Sequence, residues 1–117
     1  GSPVEAKGTY KEGVYKAAEK DFDERGWKAM AAVLIRDGKV AVAAYDEVNK
    51  DGNYKSADEE YAKNMKEKSG TTPAEAAQVL SKSVIDKQDA DVDSVTGATG
   101  TAERFKTLMK EVLDLAK

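Results

Sequence analysis

Nine residues, Asp93-Ser94-Val95-Thr96-Gly97-Ala98-Thr99-Gly100-Thr101, place hydroxyls and small side chains directly ahead of an amphipathic segment. Gly97, Ala98 and Gly100 leave the backbone uncovered, so successive N–H groups can turn toward one anion. A helix starting there would add its unsatisfied N-terminal donors and the positive end of its dipole. The chemistry on offer is phosphate binding with threonine hydroxyls at hand. The same residues also have an ordinary use: Thr99 or Thr101 can N-cap the helix while the glycines serve the turn, and most such loops do no more than that.

Other chemistry is scarce in this chain. It has no cysteine and no histidine, which removes disulfides, iron–sulfur ligation, thiol catalysis, covalent c-type haem and the usual general base and zinc ligand. Redox work would therefore fall to a bound cofactor. Asp89, Asp91 and Asp93 alternate like the first ligands of a calcium loop, but Ser94 stands where that loop needs glycine and Gly100 where it needs a bidentate glutamate. Asn49, Asp51, Asn53 and Glu60 are spaced a little better, yet Tyr54 takes the glycine position. No metal site is expected. No serine has a histidine to activate it, and Lys82 beside Ser81 and Ser83 does not face them on a helix, so no catalytic residue is assigned.

Asp93, Thr96, Gly97, Ala98 and Thr99 fit the pattern D-x-x-[S/T]-G-A-T, and in this the chain resembles the bacterial FMN-binding domain family. Family-like segments extend the resemblance over the chain from Gly8 onward: Phe22-Asp23-Glu24-Arg25-Gly26-Trp27-Lys28, Asp37-Gly38-Lys39-Val40, Lys55-Ser56 and Lys87-Gln88-Asp89. They are similar to a branch of surface lipoproteins also called membrane immunogens. The resemblance implies FMN esterified through its phosphate to Thr99 by a flavin transferase that uses FAD and magnesium. Thr96 would hold the Ser/Thr slot, Asp93 would open the motif and shape the loop or assist the transferase, and Gly97, Ala98, Gly100 and Thr101 would complete the cradle. It further implies an electron-transfer domain outside the cytoplasm, at the bacterial cell surface, exchanging electrons with upstream and downstream redox proteins or small acceptors. Lys55 and Tyr54 lie where family members bring a segment toward the flavin. A cation there would favour the reduced ring, whereas a plain solvated lysine is the alternative. Trp27 could stack on the ring or simply join the core, and Met65 is a further ring candidate. The competing function is a non-redox surface binding or antigenic module of the same fold, without flavin.

Length and charge set the frame for these residues. With 117 residues and 40% hydrophobic content the chain can build one core, assigned to residues 8–117, with 1–7 as a linker in which Gly1-Ser2 reads as a cloning remnant. A net charge of −3 with both signs interspersed offers no field for nucleic acid or anionic lipid. No stretch approaches the roughly 20 apolar residues of a membrane span, so membrane attachment would need an anchor outside this sequence. A monomer is expected.

The elements that must position the motif follow from local signals. Residues 9–17 read as an interrupted first strand. Residues 27–36 and 39–45 flank Asp37-Gly38, the signature of a two-residue type I′ hairpin. Counting outward from that turn pairs Ile35 with Val40, Val33 with Val42 and Ala31 with Ala44 on one face, leaving Leu34, Ala32, Met30, Ala41, Ala43 and Tyr45 on the other. Both faces are apolar, which predicts a sheet covered on both sides. Ser56-Ala57-Asp58-Glu59 has the form of a capping box opening a helix toward Lys68, with Tyr61 and Met65 on one face and Ser69-Gly70 as its stop. Thr72-Pro73-Ala74-Glu75 opens the next, burying Ala76, Leu80 and Val84. Residues 92–95 could pair as a short strand. Phe105, Leu108, Met109, Val112 and Leu113 repeat at helical spacing toward the C-terminus. The fold class expected is α+β, an antiparallel sheet built on the hairpin with three helices around it.

Overall fold

The computed structural model describes residues 10–117. Residues 1–9, which include the expected linker and the start of the expected first strand, lie outside the described residues. Strands β1 (Gly13–Ala18), β2 (Lys28–Arg36) and β3 (Lys39–Val48) form an antiparallel sheet in that order. Three helices follow: α1 (Glu59–Ser69), α2 (Pro73–Lys87) and α3 (Thr99–Leu115). Helix α2 lies over β3, and α3 lies over β1 and β2. The protein is thus α+β, as the patterning predicts.

The hairpin turn is the expected one, with Asp37 and Gly38 both at positive φ (54° and 76°), the left-handed pair a type I′ turn demands. Beyond the first pair the register departs from a regular hairpin. Ile35 pairs with Val40, but Leu34 pairs with Val42, so Ala41 bulges out unpaired. Val33 consequently faces Ala43 rather than Val42, and Ala31 faces Tyr45 rather than Ala44. Because side chains alternate, one extra residue turns everything after it over. Tyr45 and Glu47 point into the core, and Val42, Ala44 and Asp46 point away.

The inward face is closed by Leu80 and Val84 of α2 and by Phe105, Met109 and Val112 of α3, all buried at their expected helical spacing. Among the described residues nothing covers the outward face, unlike the two-sided expectation: Val14 is 64% and Val42 50% exposed. All three helices have already been used, two of them on the inner face.

Two caps differ from the sequence reading. Ser56 does not open α1; it sits in a 3₁₀ turn (Lys55–Ala57), with its hydroxyl donating to Asp46 Oδ2. Asp58 is the N-cap, accepting from Tyr61 N at 3.0 Å. Asp accepts as well as Ser at that position, and Asp46 competes for the serine. Thr72 caps α2 as expected, accepting from Glu75 N at 3.1 Å. Residues 92–95 form no strand: Gln88, left-handed at the end of α2, bonds both backbone groups of Val40 through its side-chain amide (2.8 and 3.1 Å). That amide takes the place at the edge of β3 that a fourth strand would have filled.

Candidate functional site

The motif loop enters α3 without a side-chain cap. The N-cap is Ala98, so neither Thr99 nor Thr101 caps the helix, and Thr99 becomes its first residue with an exposed side chain. Ala98 accepts the first helical bond, from Ala102 N at 3.0 Å, while its own N–H donates to Val95 O at 2.9 Å. No side chain therefore claims the first-turn donors of a 17-residue helix.

Gly97 fixes the loop against α1. It has φ +84°, and a Cβ built on it would lie 2.2 Å from the carbonyl oxygen of Ser69, so no other residue fits without displacing the loop. Ser69 is the last residue of α1, which ties the motif to the helix that carries Tyr61 and Met65. Thr96 and Gly100 are exposed, while Ala98 is buried. Asp93 projects into solvent, 97% exposed, 3.9 Å from Lys87.

Beneath the start of α3 lies a charged cluster that no local pattern announces. Arg104, five residues into the helix, donates to Asp23 Oδ2 at 2.7 Å, to Glu47 Oε1 at 3.1 Å and through two nitrogens to Glu19. Glu47, 3% exposed, also accepts from Lys55 Nζ at 3.1 Å and from Tyr45 Oη at 2.8 Å. The Arg104 hydrogen bonds hold the Glu19 carboxyl below its usual range. For Asp23 burial works the other way, but the N–H groups of Trp27 and Arg25, with Arg104, keep its carboxyl low. Burial and then the Glu47 carboxylate push the Tyr45 hydroxyl up, so it stays a donor. Every buried side-chain polar atom among the described residues has a partner.

Lys55 and Trp27 belong to this cluster. The Lys55 ammonium, 12% exposed, lies 4.6 Å from the centroid of Tyr61 and 5.4 Å from that of Trp27, whose rings meet edge to face at 6.2 Å. Lys55 is therefore not a solvated lysine, and Trp27 is buried core. The space left between this cluster and the motif is small: Thr101, Lys55, Glu47 and Pro73 line a hollow of about 10 Å³. Tyr54 lies apart, exposed and bridging to Val48.

On the α1 side the motif adjoins a wider space. Arg25, Tyr61, Asn64, Met65, Lys68 and Ser69 line a groove of about 310 Å³. Of the four ring candidates, Lys55, Tyr54, Trp27 and Met65, only Met65 lines it. Among the described residues neither Arg25 nor Lys68 has an acidic partner within ion-pair distance. A further hollow, of about 530 Å³, lies over the sheet among Lys16, Ala18, Met30, Ala32 and Ala44 and shares no residue with the motif.

A phosphate ester of FMN fits these residues. The acceptor hydroxyl is exposed, the first-turn donors are not claimed by any side chain, and the glycine backbone beside them cannot be covered by a side chain. Among the described residues no group of three or more acidic side chains is arranged to hold a metal, because Arg104 and Lys55 take up the one buried carboxylate cluster. Among the described residues no helix is long and apolar enough to cross a membrane.

No family model matches the chain. Individual relatives do. The chain is 37% identical over 106 residues to the 15 kDa lipoprotein of Treponema pallidum (strain Nichols), covering 90% of this chain and 75% of that one. A crystal structure of a Clostridium perfringens protein superposes with a TM-score of 0.89 at 37% identity, over 92% of this chain and 88% of the other. A solution structure from Clostridium thermocellum superposes with a TM-score of 0.60 at 26% identity, over 92% of each chain.

Proposed function

The chain belongs to the family of the 15 kDa lipoprotein of Treponema pallidum, and on that premise we propose that it is an extracytoplasmic electron carrier with FMN joined covalently to Thr99. The observation that carries the proposal is the uncapped start of α3, where Thr99 is exposed beside a glycine pinned to Ser69. A bland helix entry would use one of its three threonines as a cap; this one uses none.

Attachment asks little of the domain itself. The Thr99 hydroxyl oxygen would form a bond to the riboflavin-side phosphorus of FAD, the pyrophosphate P–O bond would break, AMP would leave, and the hydroxyl proton would pass to solvent. A separate flavin transferase with magnesium supplies the catalysis. The backbone N–H groups of the first turn, near Thr99 to Thr101, then face the phosphodiester and offset its charge. Gly97 holds the loop in place, and Asp93, free in solvent, is available to the transferase. Bound FMN would supply the redox chemistry, accepting electrons from a reduced redox protein and passing them to an acceptor.

The test is intact mass after coexpression with a competent flavin transferase. The wild-type chain should gain one FMN less water, with flavin absorbance, and Thr99→Ala should gain nothing while keeping its fold. An unchanged wild-type mass, or a flavinylated Thr99→Ala, would falsify the attachment. A surface binding or antigenic module without flavin is the second reading, favoured by the bare apolar outer face of the sheet with Val14 and Val42. Native-host protein with neither the FMN mass increment nor flavin absorbance would favour it over the carrier.

A further inference from the structure

We propose that the groove between α1 and the β1–β2 loop seats the isoalloxazine ring, with Met65 and Tyr61 as its wall and Arg25 and Lys68 as the groups that raise its potential. The inference rests on the reading that Thr99 carries FMN, and it concerns where the rest of the cofactor goes. Thr99 lies two positions after Gly97, a span of at most about 7 Å, and Gly97 packs against Ser69 on the rim of the groove. A ribityl chain leaving a phosphate on Thr99 therefore has the groove within its reach.

Volume decides between the two sides of the motif. The hollow beneath Thr101 holds about 10 Å³, too little for any ring, so Lys55 and Trp27 are closed off. The groove holds about 310 Å³, at the low end of the roughly 300–1,000 Å³ usual for small-molecule sites. A hollow of about 390 Å³ runs along α3 between Asp89 and Lys117, but its lysines are already paired, Lys106 with Asp91 and Lys110 and Lys117 with Asp114.

Charge points the same way. Arg104 and Lys55 are occupied by carboxylates, whereas Arg25 and Lys68 have no acidic partner among the described residues. Two free cations at the rim would favour a ring that gains negative charge on reduction, and an aromatic and a thioether at van der Waals distance would quench its fluorescence.

The experiment uses the flavinylated protein, its loading confirmed by intact mass, and reads midpoint potential by dithionite titration and flavin fluorescence. Arg25→Ala/Lys68→Ala should lower the potential by an amount equal to about a tenfold shift toward the oxidised form, near 30 mV for a two-electron couple. Tyr61→Leu/Met65→Leu, which keeps the wall apolar but removes the aromatic and the thioether, should raise fluorescence toward that of free FMN. The pair Lys16→Ala/Lys39→Ala, on the sheet, should change neither. Loaded variants with wild-type potential and fluorescence would overturn the groove while leaving Thr99 attachment standing. An equal shift in the sheet pair would also overturn it, as an effect of net charge alone. Failure of the wild-type chain to load would remove both proposals.

Discussion

Two charged regions flank the start of α3, and they are built in opposite ways. On one side Arg104 and Lys55 meet Glu19, Asp23 and Glu47, with no atom left over and a hollow of about 10 Å³. On the other, Arg25 and Lys68 stand without acidic partners among the described residues, around a groove of about 310 Å³. The first arrangement fixes where the β1–β2 loop and the helix sit relative to the sheet. The second leaves its charge available to something that is not part of the chain. Cations are present on both sides, so it is pairing and free volume, rather than charge itself, that separate the structural cluster from the groove proposed to bind the ring.

The contrast can be broken most sharply at Arg104. Arg104→Met keeps the helix and most of the volume but strands Glu47 beside a single lysine, and should cost about 3 kcal/mol in chemical denaturation. A loss below about 1 kcal/mol would put the cluster in the class of surface ion pairs. Next in size is Gly97→Ala, expected to cost about 2–3 kcal/mol from the positive φ and the contact with Ser69 together. Its second readout is poor flavin loading, since the loop must move away from α1.

Acid titration is a smaller effect with a definite sign. The carboxyls of Glu19 and Asp23 are held below their ordinary values of 4.5 and 3.8 in the folded protein. Their contribution to stability is therefore complete above that range and lost as pH falls through it. Urea midpoints measured from pH 7 down to about pH 3 should decline, and Arg104→Met should flatten the decline. The smallest change belongs to the groove: Arg25→Ala/Lys68→Ala should alter stability by no more than about 0.5 kcal/mol. A large loss there would show that these cations are structural after all.

How much of this the sequence discloses depends on the range of the signal. Asp37-Gly38 states its turn locally, Thr72-Pro73 its helix start, and residues 105–113 their buried stripe, because each depends on neighbours within a few positions. The motif is legible for the same reason, although Ala98 rather than a threonine proved to be the N-cap. Arg104 was invisible: in sequence it is one more charged residue on an amphipathic helix, and its partners lie 57 to 85 positions away. Glu47 was hidden by the bulge, since nothing about Ala41 distinguishes it from Ala43 or Ala44. The groove was legible only in Met65, because Arg25 reaches it from a different part of the chain.

The bulge at Ala41 reconciles two demands of opposite parity on one strand. At its hairpin end β3 must face Val40 inward, as the two-residue turn requires. At its far end it must face Tyr45 and Glu47 inward, as Arg104 requires. Val40 is even-numbered and Glu47 odd, so strict alternation cannot satisfy both. The same residues paired without the bulge would keep the turn but bring Asp46 inward in place of Glu47, leaving the arginine without its buried partner. The bulge at Ala41, an exposed residue with no chemistry of its own, thus determines which carboxylate lies beneath the start of α3.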